Sequence, residues 1–440
     1  MANSLKDFEE YLTSLAPATS TSPSIPGVVL LAASRDPAIP QYSFSCGTTS
    51  VSPSRSPAPA LTPASSFWFA SATKLLTSLA ALQLVERGLW TLHRPVAEAV
   101  PELGALQHLT GWSEDGLPTY GEDVNGKRAG ARVTLRHLLT HTSGMGYHFL
   151  NPKLIRWWKW RAEQEGRDVQ GSFGGTVTGG LGGPLVNEPG TVWEYGPGID
   201  WAGLLVERIY GEEEGKLGRV IQREVLGPVN VKEREAVWRK ADLKWSEQDA
   251  EERWVDMTAR GPEGLVPAGP MPPENATHDL GGSGIRCPAQ DWIKVLESLI
   301  RNDGRILKPE TVERYLYQPQ LVDGEGLLGS KLSQSQRTVF AAGPGGRMLS
   351  GGLPLPSKDG EAEDEYEYNH SLAGALSRKK GGEGWALHWG GAPNIEWFLD
   401  PNAGVGGVFA TQLLPPVDKL MLDLAVDFRE KVIEALGTKS

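Results

Sequence analysis

Cysteine is scarce in this chain of 440 residues: there are two, Cys46 and Cys287, far apart in sequence. A secreted disulfide scaffold uses more, so a reducing compartment is the expectation. Long apolar runs are lacking as well. No membrane-length apolar stretch occurs, and the opening residues, Met1 to Glu10, carry charges where a signal core would be apolar. A cytoplasmic protein with no membrane partner is therefore expected. Basic charge is in deficit, 43 Lys and Arg against 54 Asp and Glu, a formal net charge of −11. With no basic stripe to meet a phosphate backbone, this argues against nucleic acid as a partner. The eight histidines and two cysteines show no ligand spacing, so no metal is expected. The glycine-rich run from 171 to 183 is not followed by Gly-Lys-Ser/Thr; it reads as a flexible loop stopped by Pro184 rather than a phosphate loop.

What is present is an ordinary globular composition, 40% hydrophobic and 22% charged, in a chain long enough for one large domain or two or three small ones. Leu5, Phe8, Tyr11, Leu12 and Leu15 predict a helix over about 4–16. The run 28–33 predicts a buried strand, and the alternating 42–46 a second strand of a hairpin. Helices are predicted from 133 to about 145, with Thr134 as cap and Gly144 as stop, and over 150–165, 199–210, 216–225, 289–301 and 309–317. Residues 229–275 read as irregular and charged, 327–353 as a run broken by Gly and Ser, and 357–370 as an exposed acidic loop. Three strand-like runs, 385–389, 395–399 and 407–411, then precede a closing amphipathic helix over 416–436. Strands at both ends and helices between predict an α/β (α+β) fold: a central antiparallel sheet flanked by terminal helices, plus a large helical lobe, with the site between them. The expected division is a single domain, its α/β part from about 1–75 and 285–440 and its helical part about 76–284.

The chain is organised around Ser71-Ala72-Thr73-Lys74. Leu75, Leu79, Leu82 and Val85 recur at helical spacing up to Gly88, so Ser71 falls in the first turn of a buried amphipathic helix and Lys74 projects from the same face. A serine hydroxyl needs a base or a charged neighbour to become a nucleophile, and an amine in an apolar setting at a helix N-terminus supplies one. A serine at a helix start is more often a simple cap, so the tetrapeptide alone does not establish catalysis. Tyr195 follows in Trp193-Glu194-Tyr195-Gly196, and a glycine-rich strand in His388-Trp389-Gly390-Gly391. The tryptophans 157, 158 and 160 on one helix fit either a core or an apolar lid. His141, before Thr142-Ser143-Gly144, reads as a structural turn near the cleft, and Gly281-Gly282-Ser283-Gly284-Ile285 lacks the final glycine of a Gly-x-Ser-x-Gly elbow.

In this order, Ser-x-x-Lys, Tyr-Gly and a Gly-rich strand, the chain resembles the serine β-lactamases and penicillin-binding proteins. The stretches 70–77, 135–144, 200–203 and 391–395 resemble a branch of fungal lovastatin-pathway acyltransferases and class C-like esterases, with the match running from about residue 25 to 430. The resemblance implies catalytic roles for Ser71 as acylated nucleophile, with Lys74 and Tyr195 as a coupled proton-handling pair. A tyrosine near its ordinary value of ~10 is too weakly ionised to act alone, so Lys74 would have to favour its charged form. It implies an oxyanion hole of the Ser71 and Gly391 amides, and substrate-binding roles for Tyr147, His388, Trp389 and Gly390. No cofactor is implied. Two departures narrow the chemistry. His388-Trp389-Gly390 stands where the lactamases have Lys-Thr-Gly, and Pro197 where they have an asparagine. A grip on an antibiotic carboxylate is missing, which points to ester- or thioester-like substrates. The expected reaction is transfer of an acyl group from a thioester, free or bound to a carrier protein, through Ser71 to an alcohol of a polyketide-like natural product. Hydrolysis of the same acyl-enzyme, as an esterase or lactonase, is the alternative, and a non-catalytic binding protein on this fold a third reading.

Overall fold

The computed structural model describes residues 2–16, 23–166, 175–213, 215–269, 277–321 and 366–438. The run 327–353, most of the acidic stretch and the start of the glycine-rich run lie outside the described residues.

Seven strands form one antiparallel sheet: β1 (Gly27–Ser34), β2 (Tyr42–Gly47), β3 (Tyr366–His370), β4 (Ala375–Lys379), β5 (Ala386–Gly391), β6 (Ile395–Asp400) and β7 (Val405–Ala410). Their order is β2-β1-β7-β6-β5-β4-β3, so the N-terminal hairpin adds directly to the C-terminal meander. Register sets the two faces, because side chains alternate along each strand. Val28, Leu30 and Ala32 of β1 and Phe398 and Phe409 from β6 and β7 point to one side. There they pack on two terminal helices, α1 (Ala2–Leu15) and α7 (Lys419–Leu436), through Phe8, Leu12, Leu424 and Phe428. Val29, Leu31, Trp389, Trp397 and Val408 point to the other side, into the main core.

That second face carries α6 (Ala289–Arg301) and α2 (Lys74–Glu86). Every residue of α2 from Lys74 to Gln83, and Leu84 after it, is buried. The periodic leucines suggested an amphipathic helix; α2 instead is packed around its whole circumference, as a central helix must be. Truncating one of its leucines, Leu79→Ala for instance, would leave a cavity costing about 2–5 kcal/mol. Around α2 stand α3 (Leu135–Leu139), α4 (Pro152–Glu165) and α5 (Gly198–Ile209). The helix expected to run from 133 to Gly144 is only α3. Thr134 caps it with a reciprocal His137 bond, and the chain leaves the helix at Thr140 and turns through His141 at φ +55°. Residues 229–275 are less irregular than expected, with a helix Glu247–Arg253 and a hairpin of Thr258–Gly261 with Gly264–Pro267. The segment 366–370, read as loop, is the edge strand β3, since it finds Ala375–Lys379 as a partner. No described helix is long and apolar enough to cross a membrane.

Candidate active site

Ser71 lies between the sheet and the helices. The chain enters from the short strand Ser66–Trp68, paired with Arg286–Pro288, and turns sharply: Ala70 sits at φ +45°, a conformation unusual for a residue with a side chain. Ser71 then occupies a 3-10 turn, Ala70–Thr73, rather than the first turn of the α-helix, which starts at Lys74. The turn is tied from several directions. Thr73 Oγ1 donates to the Ala70 carbonyl (2.6 Å) and accepts from the Ile285 amide (3.2 Å), and Phe69 stacks on Trp292 at 4.1 Å. The strained residue is therefore over-determined by its surroundings.

Three groups converge on the serine. Tyr195 Oη and Ser71 Oγ are hydrogen-bonded at 2.7 Å. Lys74 is 3% exposed, and its Nζ donates to Ser71 Oγ (3.3 Å), Tyr147 Oη (3.2 Å) and the Gly282 carbonyl (2.7 Å). An ammonium has three N–H groups, and three acceptors surround it. Nζ also lies 4.9 Å from the centre of the Tyr195 ring. Tyr195 is positioned by its neighbours' backbones: the Glu194 amide donates to the His141 carbonyl, and the Tyr147 amide to the Tyr195 carbonyl. Pro197, where the lactamases carry an asparagine, precedes α5 as its N-cap.

The back wall is aromatic. The ring of His141 lies 5.1 Å from Tyr195, 5.5 Å from His370 and 6.0 Å, nearly parallel, from Trp389. Burial pushes His141 well below the usual imidazole range, with His370 and Lys74 adding to it, and burial pushes His370 down to about 4. Both rings are thus neutral at physiological pH. Burial also pushes the Tyr147 phenol well above its usual value, reinforced by the nearby Asp200. Asp200, on α5, is 1% exposed; burial raises its carboxyl, while Lys74 and the Gly282 amide act to lower it. Its Oδ1 accepts from the Gly282 amide at 2.8 Å. Among the described residues no group of His, Cys, Asp and Glu is placed to hold a metal ion.

Strand β5 delivers its residues alternately to opposite faces. Gly391 faces the nucleophile turn so closely that a Cβ there would lie 2.3 Å from the Phe69 carbonyl oxygen. Trp389 lines the same side, 5.7 Å from the Tyr195 ring. His388 and Gly390, expected at the substrate, do not join them. His388 lines a small crevice with Glu396, Phe398, Phe428 and Arg429 under α7, and the Cβ position of Gly390 faces Glu396. The period of two in a strand makes this unavoidable: if Trp389 and Gly391 face Ser71, the residues that alternate with them, His388 and Gly390, cannot.

On the other side of Tyr147 lies a narrow crevice lined by Met145, Tyr147, Leu154, Trp158 and Leu181 among others. Of the three tryptophans, Trp157 and Trp158 are buried with Leu109 and Val186, and Trp160 packs against them from a half-buried position. They form a small core of their own, and Trp158 is also crevice wall, so both readings hold for different residues. Phe149, 60% exposed, stacks on Tyr147 at 5.0 Å and forms the lip.

Asp200 and His370 were missed as site residues. An aspartate in the first turn of a helix reads as a partner of the helix dipole, and His370 stood in a stretch taken for loop. Gly282 was noticed only for failing to complete an elbow motif.

Residues 18–429 match the family described as Beta-lactamase. The chain is 33% identical over 377 residues to a lovastatin esterase of Penicillium rubens, covering 83% of this chain and 84% of the relative. It is 33% identical over 374 residues to a monacolin J acid methylbutanoyltransferase of Aspergillus terreus, covering 82% and 80%. Among solved structures, an unliganded simvastatin synthase (LovD) from Aspergillus terreus superposes with a TM-score of 0.77 at 28% identity, covering 99% of this chain and 98% of that one. EstCE1, a hydrolase with promiscuous acyltransferase activity, shares the fold at a TM-score of 0.67 and 18% identity.

Proposed function

The chain belongs to the beta-lactamase family, and from that premise we propose that Ser71 accepts an acyl group from a thioester and passes it to the hydroxyl of a small natural product. That it is an acyltransferase or esterase of this fold follows from its relatives, which bear both kinds of name. The observation that carries the reading is the convergence of Tyr195 Oη at 2.7 Å and Lys74 Nζ at 3.3 Å on one serine oxygen.

In acylation, Ser71 Oγ attacks the thioester carbonyl and its proton passes to the Tyr195 oxygen, which enters the step as the phenolate with Lys74 Nζ beside its ring. The Oγ–C bond forms and the C–S bond breaks. The departing thiolate takes the proton back from Tyr195. In the second half the acceptor alcohol gives its proton to Tyr195 and attacks the acyl carbon, and Ser71 is reprotonated as the Oγ–C bond breaks. The Ser71 and Gly391 amides serve as oxyanion donors. Trp389 and Tyr147 orient the substrate, and the acyl chain enters the crevice beside Trp158. The donor is a thioester, free or on a carrier protein, and the acceptor is polyketide-like, in a cytoplasmic pathway. The chain is read as one domain whose α/β part (about 1–75 and 285–440) and helical part (about 76–284) meet at this site.

Hydrolysis is the second reading, and the similarity to a named esterase favours it specifically. Incubation with a short acyl thioester, with and without candidate alcohols, separates the two. An ester product that depends on the alcohol supports transfer; free acid as the only product in both arms refutes it.

A further inference from the structure

The turn 281–284 is held to the site by more than packing. The Gly282 carbonyl accepts from Lys74 Nζ at 2.7 Å, while the Gly282 amide donates to Asp200 Oδ1 at 2.8 Å. One residue thus presents its acceptor to the buried cation and its donor to the buried anion. The neighbouring Gly281 carbonyl accepts from Thr77 Oγ1 at 2.8 Å, one helical turn along α2 from Lys74. A Cβ at 282 would meet Asp200 Oδ2 at 2.3 Å, so any side chain there would displace the carboxylate. Lys74 and Asp200 are 3% and 1% exposed, and Gly282 links them by its two backbone hydrogen bonds. A charge in such a place is costly unless it is compensated. Each supplies the other's compensation across a shared glycine.

We propose that Asp200 is a positioning residue of the reaction, a buried counter-charge that fixes Gly282 and, through the Gly282 carbonyl, holds Lys74 Nζ at Ser71. The inference rests on the acyl-enzyme reading above and deepens it by naming the group that holds Lys74 in place. Among the described residues, the groups that face Lys74 are Ser71 in the 3-10 turn before its helix, Tyr147 and neutral His141 from the segment after α3, Tyr195, and Asp200 from α5. Asp279, in the segment leading to the turn, is taken by Arg239. Asp200 is thus the one carboxylate among these described groups.

The test uses p-nitrophenyl butyrate as the probe, with the p-nitrophenol burst and intact mass reporting acylation of Ser71. Asp200→Asn keeps an oxygen for the Gly282 amide and removes the charge. Its acylation rate near neutral pH should fall by about tenfold or more, with KM changed by less than about threefold, because Asp200 touches no substrate. Asp200→Glu, which returns the carboxylate, should recover part of the lost rate. A merely structural aspartate would lower the melting temperature and leave the acylation rate of the folded protein in place. Unchanged acylation in folded Asp200→Asn, or no recovery in folded Asp200→Glu, overturns the inference. If circular dichroism shows Asp200→Asn unfolded, Lys74→Arg against Lys74→Met decides: a permanent cation should acylate faster than the neutral side chain, and equal loss overturns the proposal. Absence of any adduct on the wild-type protein sinks the acyl-enzyme reading and this inference with it, whereas a wild-type adduct with unaltered Asp200→Asn kinetics sinks this inference alone.

Discussion

Two adjacent glycines on β5 allow the oxyanion assignment to be tested by geometry. At Gly391 a Cβ would stand 2.3 Å from the Phe69 carbonyl oxygen and 3.3 Å from the Ala70 Cβ. Ordinary contact with an oxygen begins at roughly 3.0–3.4 Å, so in Gly391→Ala the strand and the nucleophile turn must separate by roughly 0.7–1.1 Å. The contact is backbone, and Phe69 is held by the hydrogen bond its amide donates to the Ile285 carbonyl and by Trp292, so no flexible side chain absorbs the shift. An oxyanion donor displaced by about 1 Å loses on the order of 10²–10³ in acylation rate. Gly390→Ala is the matched control. Its Cβ would meet the Ile395 carbonyl at 2.7 Å and the Glu396 carboxylate at 2.8 Å, on the sheet face turned away from Ser71. It should lower the melting temperature and cost less than about tenfold in acylation. Quenched-flow mass spectrometry of the Ser71 adduct, beside thermal melts, reads both. Gly391→Ala acylating within a few-fold of wild type, or the two variants losing rate equally, would refute the assignment of the Gly391 amide to the oxyanion.

Tyr195→Phe should reduce acylation by about 10²–10⁴ while the protein melts within a few degrees of wild type, because the hydroxyl's partner is Ser71 Oγ and the ring keeps its packing; retention of a tenth of the activity would exclude Tyr195 as the base. Trp158→Ala enlarges the crevice beside Tyr147 and should shift preference toward longer acyl chains, an idea abandoned if the chain-length profile on p-nitrophenyl esters stays where it was. Glu396 gives a stability test on the far face. Burial pushes its carboxyl from 4.5 to about 8, so the folded state holds the proton more tightly than the unfolded one. The resulting contribution is fully present below pH 4.5 and is lost as pH rises toward 8. Glu396→Gln should therefore melt higher than wild type at pH 9 and show a flatter dependence of melting temperature on pH; parallel curves for the two proteins would contradict it.

Local pattern was enough for much of the frame. β1 and β2, α4, α5, α6 and the meander β5–β7 fall within a residue or two of where periodicity and turn residues put them, because each is a regular run with a clear boundary. The misreadings share one physical origin: tertiary partners. The segment 366–370 follows an acidic run that reads as solvated and becomes strand only because 375–379 lies beside it. The helix after Thr134 stops early since His141 is drawn into an aromatic cluster whose other members come from three distant segments. Ser71, Lys74 and Tyr195 were legible as a motif, and their convergence is seen in the distances. His388 and Gly390 were assigned by adjacency to a motif, and strand alternation sends them to the opposite face. Asp200 has no local signature at all, because what distinguishes it is a hydrogen bond to a residue 82 positions away.

The loss of the Lys-Thr-Gly lysine is more than an absence once the walls of the site are considered. Around the serine stand Trp389, Trp193, Tyr195, Tyr147 and two imidazoles that burial keeps neutral. The cation at this centre, Lys74, is matched by Asp200 and saturated by three acceptors. Among the described residues such a pocket has no further positive charge to offer a substrate carboxylate beside the reacting carbonyl, and desolvating a carboxylate against aromatic rings is costly. A neutral acyl group meets no such penalty and gains apolar contact with the same rings. The pocket that repels the carboxylate of a lactam antibiotic is therefore one that accepts the acyl part of an ester or thioester. The same exclusion applies to free acid: once an acyl chain is esterified to Ser71, its carboxylate form is disfavoured there, so hydrolysed product should leave quickly, and product release should not limit turnover. A pre-steady-state burst followed by a slow steady state that does not respond to acceptor alcohol, but to removal of free acid, would contradict that argument.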